Sequence, residues 1–137
     1  MQRIVVAAKA GADQPWLADA AAELAQQTGA AVSVVSLDGV DMEGLSPVPR
    51  SEFQELARTT VDGILERLGA AGVQAEGDVR AGPVTPGVLL YAEEKDADVI
   101  VTGGSTKGRV ARRVLGSVPV ELISRSRRPV LVITPPS

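Results

Sequence analysis

The run Asp98-Val99-Ile100-Val101-Thr102-Gly103-Gly104-Ser105-Thr106 decides how the rest of the chain is interpreted. Its apolar part is short and unbroken, which predicts a strand that is buried on both faces of a parallel sheet. The glycines that follow indicate a loop whose backbone turns tightly or comes close to a ligand. Further along, Ser117 is a good N-cap for a helix whose free N–H groups would face the same loop. The pattern therefore suggests an anion site.

Outward from this run, short apolar segments alternate with amphipathic ones. Predicted strands cover residues 3–8, 32–37, 73–79, 99–103 and 129–133. Predicted helices run from Asp13 as N-cap to Gly29, from a capping box of Ser51 and Gln54 to Gly69, from Thr85 as N-cap to about Lys95, and onward from Ser117. The Gly- and Pro-rich residues 38–50 are predicted to form a mobile loop, and whether it covers a site stays open.

This alternation predicts an α/β fold made of one doubly wound, five-stranded parallel sheet. The expected strand order is 3-2-1-4-5, with helices on both faces. Ligands of such sheets lie beyond the carboxyl ends of the strands where the strand order reverses, here between strands 1 and 4. Residues 1–137 are enough for a single domain.

The composition excludes several classes of function. The chain has no cysteine and no histidine, which removes disulfides, thiol chemistry, the usual zinc sites and any His general base. No other pairing of nucleophile and base is visible, so the chain is predicted not to be an enzyme, with weak ATP hydrolysis left open. The scarcity of aromatic residues argues against stacking of nucleic-acid bases. No signal peptide or apolar run of membrane length is visible, which predicts a cytoplasmic protein without membrane contact.

The charge is distributed unevenly along the chain. Residues 103–137 carry seven Lys and Arg against the single acid Glu121, whereas residues 1–102 carry seven against sixteen Asp and Glu. A basic quarter beside a glycine-rich loop fits a small anionic ligand. A solvated basic face fits the same pattern, and both interpretations stay open. The acidic remainder argues against a nucleic-acid partner.

Three segments together resemble the signature of the universal stress proteins, which is Gly-x-x-Gly, nine residues, Gly-Ser or Gly-Thr, a helix and a Pro-Val-Leu-Val strand. They are Gly103-Gly104-Ser105-Thr106, Gly116-Ser117-Val118 and Arg128-Pro129-Val130-Leu131-Val132-Ile133. The resemblance covers the whole chain, because Ile4-Val5-Val6 and Ala97-Asp98-Val99-Ile100-Val101 also match in order and spacing. It implies one universal stress protein domain over residues 1–137 that acts as a stress-response module.

The resemblance also implies a nucleotide site with ATP, together with Mg, as the expected ligand. Its expected residues are Lys9, Leu37, Gly103, Ser105, Thr106, Lys107, Gly116, Ser117 and Val118. Two of them depart from the family pattern. Lys9 stands where nucleotide-binding members have an aspartate that contacts the adenosine end, and Thr106 replaces the second signature glycine. The alternative is a regulatory or interaction module with a degenerate pocket, no cofactor and an unidentified protein partner.

The last predicted strand, Val130–Ile133, is apolar and lies at a predicted sheet edge. Unpaired N–H and C=O groups at such an edge invite another chain. The family resemblance implies dimerisation through this strand, so a homodimer is predicted. Bland interpretations of the site residues stay open as well: Gly103 permits a tight turn, Ser117 only caps a helix, and Lys9 is a solvated lysine.

Overall fold

The structure is a computed structural model that describes residues 1–39, 48–104 and 117–136. Within these residues, five strands and four helices alternate along the chain. In chain order they are β1 (Arg3–Ala8), α1 (Pro15–Thr28), β2 (Ala31–Leu37), α2 (Arg50–Ala70), β3 (Ala75–Arg80), α3 (Val84–Glu94), β4 (Val99–Gly103), α4 (Ser117–Arg125) and β5 (Val130–Ile133). The alternation predicted from the apolar runs is confirmed.

The strands form one parallel sheet in the order β3-β2-β1-β4-β5. This is the predicted doubly wound α/β arrangement, with β3 at one edge and β5 at the other. β1 pairs with both β2 and β4, and in the second pairing Ala7 lies opposite Thr102. The carboxyl ends of β1 and β4 therefore lie side by side at the point where the strand order reverses.

Two apolar cores cover the two faces of the sheet. On one face, Ile4 and Val6 of β1 pack with residues of α1 and α2, among them Leu17 and Leu68. On the other face, Val5 and Ala7 of β1 pack with residues of α3 and α4. Side chains alternate between faces along a strand, so the unbroken apolar run of β1 serves both cores. The predicted covering of both faces by helices is confirmed.

The helix starts differ from the sequence prediction. The N-cap residues of α1, α2 and α3 are Gln14, Pro49 and Pro83, and none of them makes a side-chain capping hydrogen bond. Pro49 and Pro83 are extended, with ψ of 145° and 146°, immediately before each helix. A proline fixes φ near the helical value, so the chain enters the helix directly from an extended residue.

The N-caps predicted at Asp13, Ser51 and Thr85 are therefore wrong. In place of a capping box with Ser51, the Gln54 amide donates a hydrogen bond to the Asp38 carboxylate at 3.3 Å. The Gln54 side chain thus binds a residue that is distant in the sequence, whereas the local pattern predicted that it would bind the backbone at the start of α2. At the other end of α1 the prediction holds, since Gly29 has φ of 76° and donates its N–H to the Ala25 carbonyl.

The two sheet edges differ in character. β3 carries Glu76, Asp78 and Arg80, whose side chains pair with groups of β1 and α3. The buried Tyr91 hydroxyl of α3 donates to Asp78 at 2.8 Å, and burial, followed by this hydrogen bond, raises the pKa of Tyr91. β5 carries no charge, and Leu131 is 42% exposed on it. The prediction that β3 lies at an edge is confirmed.

The predicted loop and the predicted lack of a membrane-spanning segment can be compared with the described residues. Of the predicted loop 38–50, residues 40–47 lie outside the described part, and Arg50 already belongs to α2. None of the described helices is both long enough and apolar enough to cross a membrane.

Candidate functional site

The crevice between the ends of β1 and β4 is the candidate site, because ligands of doubly wound sheets bind where the strand order reverses. On the β1 side the chain leaves the sheet at Lys9, which is exposed. A tight turn follows, in which Ala12 donates its N–H to the Lys9 carbonyl at 3.0 Å and Gly11 has φ of 83°. The turn leads into Gln14 and α1, so the start of that helix lies near the carboxyl ends of β1 and β4.

On the β4 side, Gly103 is in close contact with the start of α1. A Cβ atom at this position would lie 3.0 Å from the Gln14 side-chain nitrogen and 3.0 Å from Cη2 of the Trp16 indole. These distances are tighter than most Cβ contacts, so a side chain here would require Gln14 and Trp16 to shift, and packing favours a glycine. The sequence analysis did not single out Gln14 or Trp16, since contacts of this kind join segments that are almost ninety residues apart.

Gly104 is buried and its backbone is already engaged. Its N–H donates to the carbonyl of Ile133, the last residue of β5, at 2.8 Å. This donor therefore serves the sheet and does not face a ligand. Ser105, Thr106, Lys107 and Gly116 were predicted to continue the site, and they lie outside the described residues.

The first turn of α4 provides the other described part of the predicted anion site. Ser117 is exposed and is the first residue of the helix, so the helix starts where the sequence indicated, but Ser117 lies inside the helix and not at the predicted N-cap position. Val118 is partly buried and packs against the core beneath α3 and α4. Pro119, the third helical residue, has no N–H, so this turn presents fewer free donors than an ordinary helix start.

Leu37 closes β2, and its side chain points into the core. It is only 3% exposed and packs against Gly87 of α3, where an added Cβ would lie 2.5 Å from Leu37 Cδ1. Leu37 thus lies at the carboxyl end of its strand, as expected for a site residue, but its side chain fills the space beneath α3. Any group that Leu37 presents to a ligand is a backbone group.

Asp38 follows directly and positions the segments around the site, a role that the sequence analysis missed. Its side chain is fully buried. Oδ1 accepts the Gly82 N–H at 2.9 Å, while Oδ2 lies 3.2 Å from Nε of Arg50 and accepts from Gln54. One carboxylate thereby ties the end of β2 to the start of α2 and to the β3–α3 loop. An acidic residue immediately after a buried strand was the available signal.

The groups whose pKa shifts are clearest lie away from the crevice. Asp98 lies just before β4, at the amino ends of the strands and so opposite the crevice. It accepts the backbone N–H groups of Gln2 and Arg3, and these hydrogen bonds lower the pKa of its carboxyl. Among the residues that the structure describes, no three His, Cys, Asp or Glu side chains are grouped closely enough to hold a metal ion.

The described residues also border two surface cavities. One, of about 610 Å³, opens between α3 and residues 125–128, near the amino ends of β4 and β5, and is separate from the crevice. The other, of about 360 Å³, lies between the β1–α1 turn and α2. Gln14 lines this second cavity and also contacts the Gly103 position, so the cavity adjoins the β4 side of the crevice.

Comparison with known proteins agrees with the fold. The model of the universal stress protein family matches residues 1–134. A curated relative, the universal stress protein MJ0577 of Methanocaldococcus jannaschii, is 26% identical over 84 residues, which cover 61% of this chain and 52% of that protein. The match thus spans about half the length of this relative.

Solved structures cover almost the whole chain. A universal stress protein from Archaeoglobus fulgidus superposes with a TM-score of 0.80 at 25% identity, covering 98% of this chain and 99% of that one. A universal stress protein in complex with cAMP gives 0.77 at 25% identity, and the Archaeoglobus fulgidus protein in complex with dAMP gives 0.76 at 26%, each covering 98% of both chains. With the family model matched over residues 1–134 and the sheet order as predicted, the chain belongs to the universal stress protein family.

Proposed function

We propose that this chain is a small dimeric stress-response module that binds an adenine nucleotide in the crevice between β1 and β4. The observation that carries the proposal is the placement of the Lys9 end of β1 beside the Gly103 end of β4 at the strand-order reversal. Relatives with the same fold, at 25% and 26% identity, were solved with cAMP and dAMP. ATP with Mg is the ligand expected from the family resemblance, and no catalytic role is assigned.

The residues divide between the two ends of such a ligand. We assign Ser117 and the first turn of α4 to the phosphate, together with the predicted residues Ser105, Thr106, Lys107 and Gly116. The end of β2 suits the base. Because the Leu37 side chain is packed against Gly87, its part there is limited to backbone groups. Lys9 supplies a positive charge on the β1 side.

A second candidate is an interaction module that holds no nucleotide and acts through an unidentified protein partner. Two observations favour it. Gly103 has a packing reason that needs no ligand, because Gln14 and Trp16 occupy the space beside it. The Gly104 N–H, which begins the glycine loop, is taken by Ile133. Both features would persist in a chain whose pocket had lost its ligand.

Isothermal titration of nucleotide-stripped protein separates the two candidates. ATP with Mg, ADP, AMP, cAMP and inorganic phosphate are titrated in turn. Saturable heat with an adenine nucleotide at micromolar affinity supports the nucleotide site, and Gly116→Val should abolish that heat. Gly69→Val is the matched control, since Gly69 is in open space near the end of α2. No heat with any nucleotide overturns the nucleotide proposal and leaves the interaction module.

Dimerisation through β5 is supported by the contrast between the two sheet edges. β5 is uncharged with Leu131 exposed, and Val120 and Ile123 of the preceding helix α4 are also about half exposed. β3 at the other edge carries three charged side chains, which discourage strand pairing. A two-fold symmetric pairing of β5 with a second copy would cover the apolar edge.

Sedimentation velocity tests the dimer at micromolar protein. Leu131→Glu is expected to convert the dimer to a monomer, because it places like charges at the paired edge. Gln74→Glu, an exposed position beside β3, is the matched control and should leave the dimer intact. A wild-type protein that sediments as a monomer contradicts the proposal.

A further inference from the structure

The larger surface cavity, of about 610 Å³, lies at the end of the sheet away from the crevice. It opens between α3 and residues 125–128, near the place where Ile100 of β4 pairs with Val130 of β5. Its floor is apolar and reaches the core through Leu89, Ala92 and Ile100. Pockets for small molecules have volumes of about 300–1,000 Å³ and combine apolar walls with a few polar groups, so this cavity has the size and the lining of one.

Three arginines border the cavity, and two of them are without an acidic partner. Arg125 and Arg127 are exposed, and neither makes an ion pair within the part of the chain that the structure describes. Each of the other described arginines pairs with a carboxylate. These are Arg3, Arg50, Arg58, Arg67, Arg80 and Arg128. The two guanidinium groups left for another anion thus border the same cavity.

The backbone that carries these arginines is held in place by hydrogen bonds. The Ser126 N–H continues the helix by donating to the Leu122 carbonyl at 2.9 Å. The Ser126 hydroxyl donates to the Arg128 carbonyl at 2.8 Å and accepts the Arg128 N–H at 2.9 Å, which closes a tight turn around Arg127. Nε of Arg128 donates to the Ala97 carbonyl at 2.8 Å. Because this segment is already ordered, less conformational entropy is lost when a ligand binds to it.

The charges around the cavity favour a ligand with two negative charges. Arg128 lies 3.6 Å from Asp96, so its charge is partly offset. Glu93 borders the cavity as well, but no ion pair joins it to Arg125 or Arg127 in the described residues. Guanidinium groups bind phosphate and carboxylate through paired N–H donors, and two of them match a dianion. The apolar floor adds room for an uncharged part of the same molecule.

We propose that this cavity binds a small organic dianion, a phosphate monoester or a dicarboxylate, whose apolar part lies on Leu89, Ala92 and Ile100. Arg127 is the main determinant. Arg125 contributes less, because it is the last residue of α4 and its charge also interacts with the negative end of the helix dipole. The cavity is separate from the crevice, so this inference does not depend on the proposed nucleotide function.

Titration of isotope-labelled protein, followed by two-dimensional NMR, measures both the affinity and the location of binding. The probes are phenyl phosphate, phthalate, inorganic phosphate and phenol. At least one of the first two should shift the amide signals of residues 125–128 and of Ala92 and Glu93, with a dissociation constant below about 1 mM. The tighter of the two identifies the head group. Inorganic phosphate lacks the apolar part and should bind about 10-fold more weakly, and phenol, without a charge, should not bind.

Substitutions at the exposed charges test the assignment. Arg127→Gln should weaken binding of the tighter dianion by about 5- to 20-fold and Arg125→Gln by about 3- to 10-fold, since each removes a charge-assisted hydrogen bond. Glu93→Gln should strengthen binding by about 2- to 5-fold, because it removes a like charge from the cavity. Arg58→Gln is the matched control. It also removes one positive charge, but on α2, where Arg58 pairs with Asp62, and it should leave the affinity unchanged.

The location of the shifts separates this inference from the nucleotide proposal. Shifts confined to residues around Lys9 and Gly103 would place the anion in the crevice and overturn the present inference alone. No shift with either dianion overturns it as well. An affinity that is unchanged in both arginine variants refutes their assignment, and inorganic phosphate that binds as tightly as phenyl phosphate refutes the role of the apolar floor.

Discussion

Replacing Gly87 by alanine tests the packing at the end of β2. An added Cβ would lie 2.5 Å from Cδ1 and 2.8 Å from Cγ of Leu37, both too short for a real contact. Leu37 is 3% exposed and Cγ is not the free end of the side chain, so it cannot turn away into solvent. Overpacking of this kind costs about 1–3 kcal/mol, while alanine in a helix gains up to about 1 kcal/mol over glycine.

Gly87→Ala is therefore expected to lower the free energy of unfolding by about 1–2 kcal/mol, which lowers the melting temperature by about 3–7 °C. Urea denaturation followed by circular dichroism measures the first quantity. Gly63→Ala is the matched control, because Gly63 is also helical, in α2, and has open space around it. It should stabilise the protein by about 0.5–1 kcal/mol.

A double-mutant cycle with Leu37→Ala isolates the contact. With Leu37 truncated, the added methyl group no longer collides and fills part of the cavity, so Gly87→Ala should become stabilising. The expected coupling between the two positions is at least about 1 kcal/mol. If Gly87→Ala is as stable as the wild type, or if the coupling is zero, the packing argument for Leu37 is refuted.

Three further predictions concern the charged and polar groups of the fold. Asp38→Ala should lower the free energy of unfolding by about 3 kcal/mol in urea denaturation, the low end for a broken buried ion pair because Arg50 is 31% exposed. Gln54→Ala, its control, should cost only about 1 kcal/mol. The pKa of Asp98 is lowered by the Gln2 and Arg3 N–H groups, so its stabilisation is present above the unfolded pKa of about 3.9 and is lost as the pH falls through the folded value. Thermal melts should show Asp98→Ala less stable than the wild type at pH 7, with the difference shrinking below about pH 4; a difference that persists in acid contradicts this. Burial raises the pKa of Tyr91, so the wild type should lose stability as the pH rises above about 10, and Tyr91→Phe should lack that loss while costing about 1 kcal/mol at pH 7. An unchanged alkaline profile in Tyr91→Phe is the contrary result.

The elements of the fold were predictable because their signals are local. The strands β1 and β4 are unbroken runs of Val and Ile, and the end of α1 is fixed by Gly29 in a left-handed conformation. The strand order followed from the alternation of strands and helices and from the general rules for parallel sheets. These features depend on a few adjacent residues or on topology.

The helix starts and the packing of the site were not predictable in the same way. Ser51 and Gln54 have the spacing of a capping box, but Gln54 binds Asp38, sixteen residues away. Gly103 belongs to a sequence typical of a ligand-binding loop, yet the space that a side chain would occupy there is filled by Gln14 and Trp16. Each case is decided by a partner distant in the sequence, and a local pattern carries no information about that partner. The residues 105–116 of the predicted site lie outside the described part, so their roles stay predictions.

The hydrogen bond from Gly104 to Ile133 connects two places that have separate proposed functions. Gly104 begins the loop beside the crevice, and Ile133 ends the strand at which a second copy is proposed to bind. A displacement of β5 would therefore reach the first residue of the loop through the pairing of β4 with β5 and through this hydrogen bond of 2.8 Å. By thermodynamic linkage, a nucleotide that tightens the dimer must be bound more tightly by the dimer, and by the same factor. A stress signal read at the nucleotide site would then be expressed as a change in subunit association.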